Sequence, residues 1–274
     1  MKKLDLHVHC DVADPAAVAA FAALAEAENT LVGLSGGARY GAIDFVPNDG
    51  VLKIAREYPE VFIPLAKVDL WDAPGDPETI RRFAGEGFRA LKCIYPYYEY
   101  DHDYYMPLYQ AAAECGLPIL FHTGNFRASA ADRELRRPVL KNMSPLNIDR
   151  IARSFPELRI VIAHLGTTFW RREAAEMIKL HDNVYADLAG SGSWQDLSAA
   201  DVVDLLRRSI HLYNGDFSGF AKLVLGSDGY VSQPEPLIRG HLHYEMLIDK
   251  IGLPAEVRDR IMGGTVAGWL GIKL

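Results

Sequence analysis

Apolar residues in this chain gather into eight short runs, and between the runs they recur at helical spacing. The runs are LDLHVH from Leu4, TLVGLS from Thr30, VFIPLAKV from Val61, FRALKCIY from Phe88, LPILFHT from Leu117, LRIVIAHL from Leu158, NVYADLA from Asn183 and KLVLGSD from Lys222. Most lack strict alternation, as parallel strands covered on both faces do. Each gap holds enough chain for one helix and two loops, and strands alternating with helices predict βαβ units. Asp14-Pro15 and Asp76-Pro77 each offer a helix cap followed by a first-turn proline. Val18, Phe21, Leu24 and Ala25 follow the first pair, and Ile80, Phe83 and Ala84 the second. A helix over 108–115 ends at Gly116, and Ser144-Pro145 opens another through Ile148, Ile151, Ala152 and Phe155. Further helices are predicted over 202–210, near 237–251 and near 255–262.

Eight such units predict an α/β fold of the (β/α)8 TIM-barrel type, with a C-terminal helical extension and a single domain over 1–274. An open doubly wound sheet is the alternative, but the chain has no G-x-G-x-x-G and no P-loop. The formal net charge of −7 argues against a dedicated nucleic-acid binder. No apolar run is long enough to span a bilayer. Three cysteines, Cys10, Cys93 and Cys115, lack metal-knuckle spacing and fit a reduced, cytoplasmic protein. A small-molecule substrate is the expected partner, with neither nucleic acid nor membrane, and a homo-oligomer is compatible with the composition.

The chemistry lies in where the polar residues fall. Strand 1 ends in Asp5-x-His7-x-His9, strand 4 carries Lys92, strands 5 and 6 end in His122 and His164, and strand 8 ends at Asp228. In a barrel these ends converge on one face, where active sites are built. A period of two puts Asp5, His7 and His9 on one side of strand 1. Histidines on three strand ends and an aspartate on a fourth form a metal-competent set.

The ordered motifs resemble the amidohydrolase superfamily, in its amidohydrolase-2 branch, which includes aminocarboxymuconate-semialdehyde decarboxylase-like proteins. LDLHVHC resembles the opening motif, LPILFHTG the strand-5 motif, FPELRIVIAHLG with NVYADLAG the strand-6 region, and LVLGSDG the strand-8 motif. The resemblance implies that His7, His9, His122 and Asp228 ligate a divalent metal and that His164 is catalytic. Zinc is expected, with manganese the alternative and one ion favoured over two. Where the family often has Gly-Asn-Ala near its end, this chain reads Gly264-Thr265-Val266-Ala267.

Three imidazoles and a carboxylate suit Zn²⁺ with one position left for water. Asp228 would take the water's proton and pass it to the leaving group, while His164 polarises the scissile carbonyl. Asp5 is expected to orient an imidazole. Lys92 has three readings: contact with a substrate carboxylate, a carboxylated bridge between two metals held also by His122 and His164, or structure alone. Arg39 and Arg127 are candidate anchors for an anionic substrate. The tyrosine-rich run from Tyr95 is either a wall of the mouth or an aromatic loop packed on the next helix. His241-x-His243 falls on a predicted helix, where i and i+2 do not share a face. The leading function is metal-dependent hydrolysis of a C–N or C–O bond in a small, carboxylate-bearing substrate. The alternative is non-oxidative decarboxylation, and a non-catalytic metal-binding protein is a third, weaker reading.

Overall fold

Strand β1, Lys3–His9, lies between β2, Thr30–Ser35, and β8, Gly229–Tyr230, and pairs in parallel with both. The computed structural model describes residues 2–37, 45–70, 76–125, 139–190, 196–207 and 219–274. The remaining strands are β3 Phe62–Asp69, β4 Ala90–Ile94, β5 Ile119–Phe121, β6 Ile160–Ile162 and β7 Val184–Ala186. They follow one another in a single parallel sheet that runs from β7 back to β1 and on to β8. Residues 223–228 bring its two ends together. Leu223 bridges Ala186, Val224 N donates to Ala186 O, and Leu6 N donates to Leu225 O. The predicted eighth strand therefore runs where expected, yet its regular ladder is confined to Gly229–Tyr230. Leu225 gives its N–H to Ile261 O instead of a strand, and Asp228, at φ 57°, breaks the extended backbone.

Between the strands lie α1 Pro15–Ala27, α2 Asn48–Glu57, α3 Pro77–Glu86, α4 Met106–Glu114, α5 Ile148–Ser154, α6 Thr167–Leu180 and α7 Ala199–Leu206. Helices α8 Glu235–Ile251, α9 Ala255–Asp259 and α10 Thr265–Leu270 form the C-terminal end. Asp14 and Asp76 cap α1 and α3 by accepting from Ala17 N and Glu78 N, as their sequences predict. Helices α2 and α6 go beyond the sequence reading. Gly50 interrupts the pattern of α2, and a kink at Trp170 blurs that of α6.

Two cores sandwich the sheet. The inner one stacks Leu4, Leu6, Leu65, Ala90 and Leu120 inside the barrel, with Val266 and Leu270 of α10 covering it from below. The outer one packs the opposite strand residues, such as Ala66, Leu91, Cys93 and Phe121, against the helices.

One expectation fails here. The register of β1 against β2 slips between Asp5 and Val8, where three steps of β1 match two of β2. This is a β-bulge, and an extra residue moves the following side chains to the other face. Leu4 and Leu6 face inward, His7 follows them inward, and Val8 and Cys10 join the outer core. Asp5 does not share a side with His7 and His9; it faces α8.

Candidate metal centre and active site

The bulge brings His7 into the mouth with its ring fully buried. Its Nδ1–H donates to Asp187 Oδ2 at 2.9 Å, which leaves the lone pair on Nε2. That nitrogen lies 3.3 Å from Asp228 Oδ1 and accepts from Lys92 Nζ at 2.6 Å. His9 Nε2, two residues on, lies 3.0 Å from the same Asp228 oxygen. Phe45 and Tyr230 flank its ring, with centroids 5.2 and 5.3 Å away.

Burial lowers the pKa of both imidazoles, so they are neutral at pH 7 and offer lone pairs. Burial alone would raise Asp228, but the surrounding His7, His9 and His164 outweigh it and hold the carboxyl well below the usual range. Burial pushes the Lys92 amine down to about 8, against the pull of Asp228 and Asp187.

His164 sits at the end of β6 in left-handed backbone, φ 64°. Its Nδ1–H donates to Ala189 O at 2.7 Å, so Nε2 is the acceptor for His122 Nδ1–H at 3.0 Å. The lone pair of His122 is thereby fixed on its own Nε2. Burial keeps His122 neutral as well.

Two groups of donors lie close enough to share an ion: His7 with His9 and Asp228, and His7 with His164 and Asp187. Three of the four expected ligands thus converge, while His122 stands beside them through its bond to His164. The donor set fits a divalent ion, because neutral imidazoles with fixed tautomers and an ionised carboxylate are what zinc and similar ions take.

Asp187 is the residue the sequence reading missed. It is buried at the end of β7, and its Oδ1 accepts from His164 N and Ala189 N at 2.7 and 3.1 Å while Oδ2 holds His7. One carboxylate therefore positions two histidines. The available signal was a strand-end aspartate in NVYADLAG, analogous to Asp228 at the end of strand 8. Asp5 does orient an imidazole, but that of His241: His241 Nε2 donates to Asp5 Oδ2 at 2.9 Å, and Asp5 Oδ1 accepts from His7 N and Ser227 N.

Lys92 reaches the donor cluster. Arg39 and Arg127 lie outside the described residues. The tyrosine run divides. Tyr100 and Tyr105 are buried and donate to His122 O and Leu70 O at 2.8 Å, whereas Tyr97, Tyr98 and Tyr104 are exposed. Cys10 and Cys93 pack in the outer cores, as alternation predicts.

A model of the amidohydrolase family matches residues 5–272. The chain belongs to the amidohydrolase family. This is a family of metal-dependent enzymes. Among curated relatives, a dihydroorotase of Azotobacter vinelandii is 29% identical over 200 residues, covering 65% of this chain and 54% of that one. The match thus spans about half that relative's length. Among solved structures, 5-carboxyvanillate decarboxylase of Sphingomonas paucimobilis is 16% identical, with a TM-score of 0.61 over 99% of both chains. A probable 2-pyrone-4,6-dicarboxylic acid hydrolase of Acinetobacter baumannii is 14% identical, with a TM-score of 0.62 over 99% of this chain and 100% of that one. A 5-carboxyvanillate decarboxylase of Novosphingobium aromaticivorans, complexed with manganese, is 15% identical, with a TM-score of 0.53 over 82% and 68%. At such identities the structural likeness establishes the barrel fold. Among the described residues no helix is long and apolar enough to cross a membrane.

Proposed function

We propose that this amidohydrolase-family enzyme hydrolyses a C–N or C–O bond of a small, carboxylate-bearing substrate, using one divalent ion, zinc ahead of manganese. The observation that carries the reading is the meeting of His7 Nε2, His9 Nε2 and Asp228 Oδ1 within 3.0 to 3.3 Å in a buried mouth. His7, His9 and Asp228 would hold the ion, with His122 as the fourth donor. A bound divalent ion supplies Lewis acidity and makes water a nucleophile near neutral pH.

The chain's own groups do the rest. Asp228, ionised beside the ligands, accepts the proton that water gives up and returns it to the leaving group. His164 is oriented through Nδ1 by Ala189 O before substrate arrives, and its Nε2, released from His122, is the atom that would meet the reacting carbonyl group. Asp187 holds His7 in one tautomer. Lys92 places a cation beside the substrate carboxylate.

Product analysis on a panel of amides, lactones and aromatic acids in H₂¹⁸O tests the reading. Solvent ¹⁸O in the product is expected. Carbon dioxide release without ¹⁸O would replace the hydrolase with a decarboxylase on the same ligands. Metal content below about 0.2 per chain after growth with zinc, with no activity gained on adding metal, would remove the metal reading, since these donors suit a borderline-soft ion.

A further inference from the structure

The His241-x-His243 pair of α8 supplies a buried side chain outside the reacting groups. The Nε2 of His241 donates to Asp5 Oδ2 at 2.9 Å. Its Nδ1 is buried with no hydrogen-bond partner among the described residues. An orphaned ring nitrogen inside the protein carries a desolvation cost that a leucine or phenylalanine would not. The ring is kept for the one bond it makes. Helix α8 also lies close at this point. Gly240 precedes His241, and a Cβ there would fall 3.1 Å from Ser227 Cβ and 3.2 Å from Ser227 Cα. Glycine weakens a helix interior, but here it lets α8 rest directly on the segment before Asp228.

Asp5 passes this contact on. Its Oδ1 accepts from His7 N at 3.0 Å and from Ser227 N at 3.2 Å, and Asp228 N donates to His7 O at 2.8 Å. A single oxygen thus fastens the backbone of β1 at His7 to the chain one residue before Asp228. Asp5, His7 and Ser227 are all buried, where such bonds are stronger than in water. A carboxyl group turns readily about its last single bond. With Oδ2 held by His241, Oδ1 is aimed at both N–H groups. With Oδ2 released, the group can swing toward other donors, and the two backbones lose their common acceptor. His7 Nε2 and Asp228 Oδ1 stand 3.3 Å apart. Donor distances in a metal site hold to within about 0.2 Å, so a small change in that spacing alters the fit to an ion.

We infer that His241 is a positioning residue for the metal centre: through Asp5 it sets the spacing of His7 and Asp228. The inference rests on the ligand set proposed above and assigns a role to a residue outside that set. The role needs an N–H at the reach of Nε2 and nothing else from the ring. Glutamine carries its amide nitrogen the same number of bonds from Cα, and asparagine one bond fewer.

Competition of the zinc-loaded protein against a chelating dye, together with the visible spectrum of the cobalt-substituted protein, tests it. His241→Leu is expected to bind zinc about 10- to 100-fold more weakly and to shift the cobalt bands, and His241→Gln to restore most of both. Asn183 gives the comparison for stability alone. It is buried just before β7, at the end of the barrel away from the ligands, and its Nδ2 donates to Ala152 O, Phe155 O and Leu158 O. Asn183→Ala should lower the melting temperature and leave zinc affinity and cobalt spectrum unchanged. Unchanged affinity and spectrum in folded His241→Leu, or the same losses in Asn183→Ala, overturn the inference. Should His241→Leu fail to fold, His241→Gln is compared with His241→Asn. Tighter zinc binding by His241→Gln is expected, and equal affinities overturn the inference. If the unaltered protein binds no zinc, the proposed ligand set fails and the inference with it. If it binds zinc and His241→Leu binds it equally, the role of His241 alone fails.

Discussion

His7 shows how much one ring is asked to do. One nitrogen is tied to Asp187, and the other meets Asp228 and Lys92. Replacing Asp187 with asparagine keeps the shape but weakens the acceptor, so metal affinity should fall by about 10- to 100-fold, the usual effect of an orienting carboxylate. Competition against a chelating dye measures this, and an unchanged affinity would remove Asp187 from the site. Asp228 and His164 should separate in a different way. Asp228→Asn is expected to lose most of kcat yet keep part of the metal, because the imidazoles remain. His164→Asn should keep full metal and lose on the order of 10²–10⁴ in rate. Loss of metal from His164→Asn would point instead to the second donor group, His7 with His164 and Asp187, and to two ions bridged by a carboxylated Lys92. Gly190 bears on the same pair: a Cβ there would fall 2.4 Å from His164 Nδ1 and 2.5 Å from Asp228 Oδ2.

At the scale of elements, helix α8 holds the strand ends in place. Tyr244 accepts from Leu188 N at 2.6 Å and donates to Val224 O at 2.9 Å, both buried. Tyr244→Phe leaves a buried donor and acceptor without partners and should cost about 1 to 3 kcal/mol per group, read by urea unfolding. A loss below a few tenths would show that water replaces the hydroxyl. These helix-to-strand ties also mark what the sequence could and could not reveal. The strands and the histidines at their ends were legible because apolar runs stop at polar residues, whatever the partners are. The bulge in β1 was not, because LDLHVH alternates without interruption and only pairing with β2 exposes the extra residue. Asp187 was not legible because its partners are two backbone N–H groups and a ring 180 residues away. The His241–Asp5 pair was hidden because a helical His-x-His, weighed alone, resembles a surface accident.

For the whole molecule, the mouth carries an acid sensitivity. His7, His9 and His122 have pKa values lowered from 6.5 by burial, so below that pH the unfolded chain takes up protons that the native one refuses. Stability therefore falls as pH drops through 6.5, the slope approaching at most about 1.4 kcal/mol per pH unit for each imidazole below that pH. The depressed Asp228 contributes stability above 3.8 and loses it as pH falls further, in the same direction. Urea midpoints of metal-free protein at pH 7, 6 and 5.5 check the slope, and a flat profile would show that these rings are protonated in the native state. The bond from His241 to Asp5 joins residues 236 positions apart, and it ties α8 to the strand that bears His7 and His9. On a ribosome the histidines of β1 emerge well before α8 and wait for it. The donor cluster is therefore finished only once α8 has docked, and a divalent ion held as proposed would be acquired after that docking.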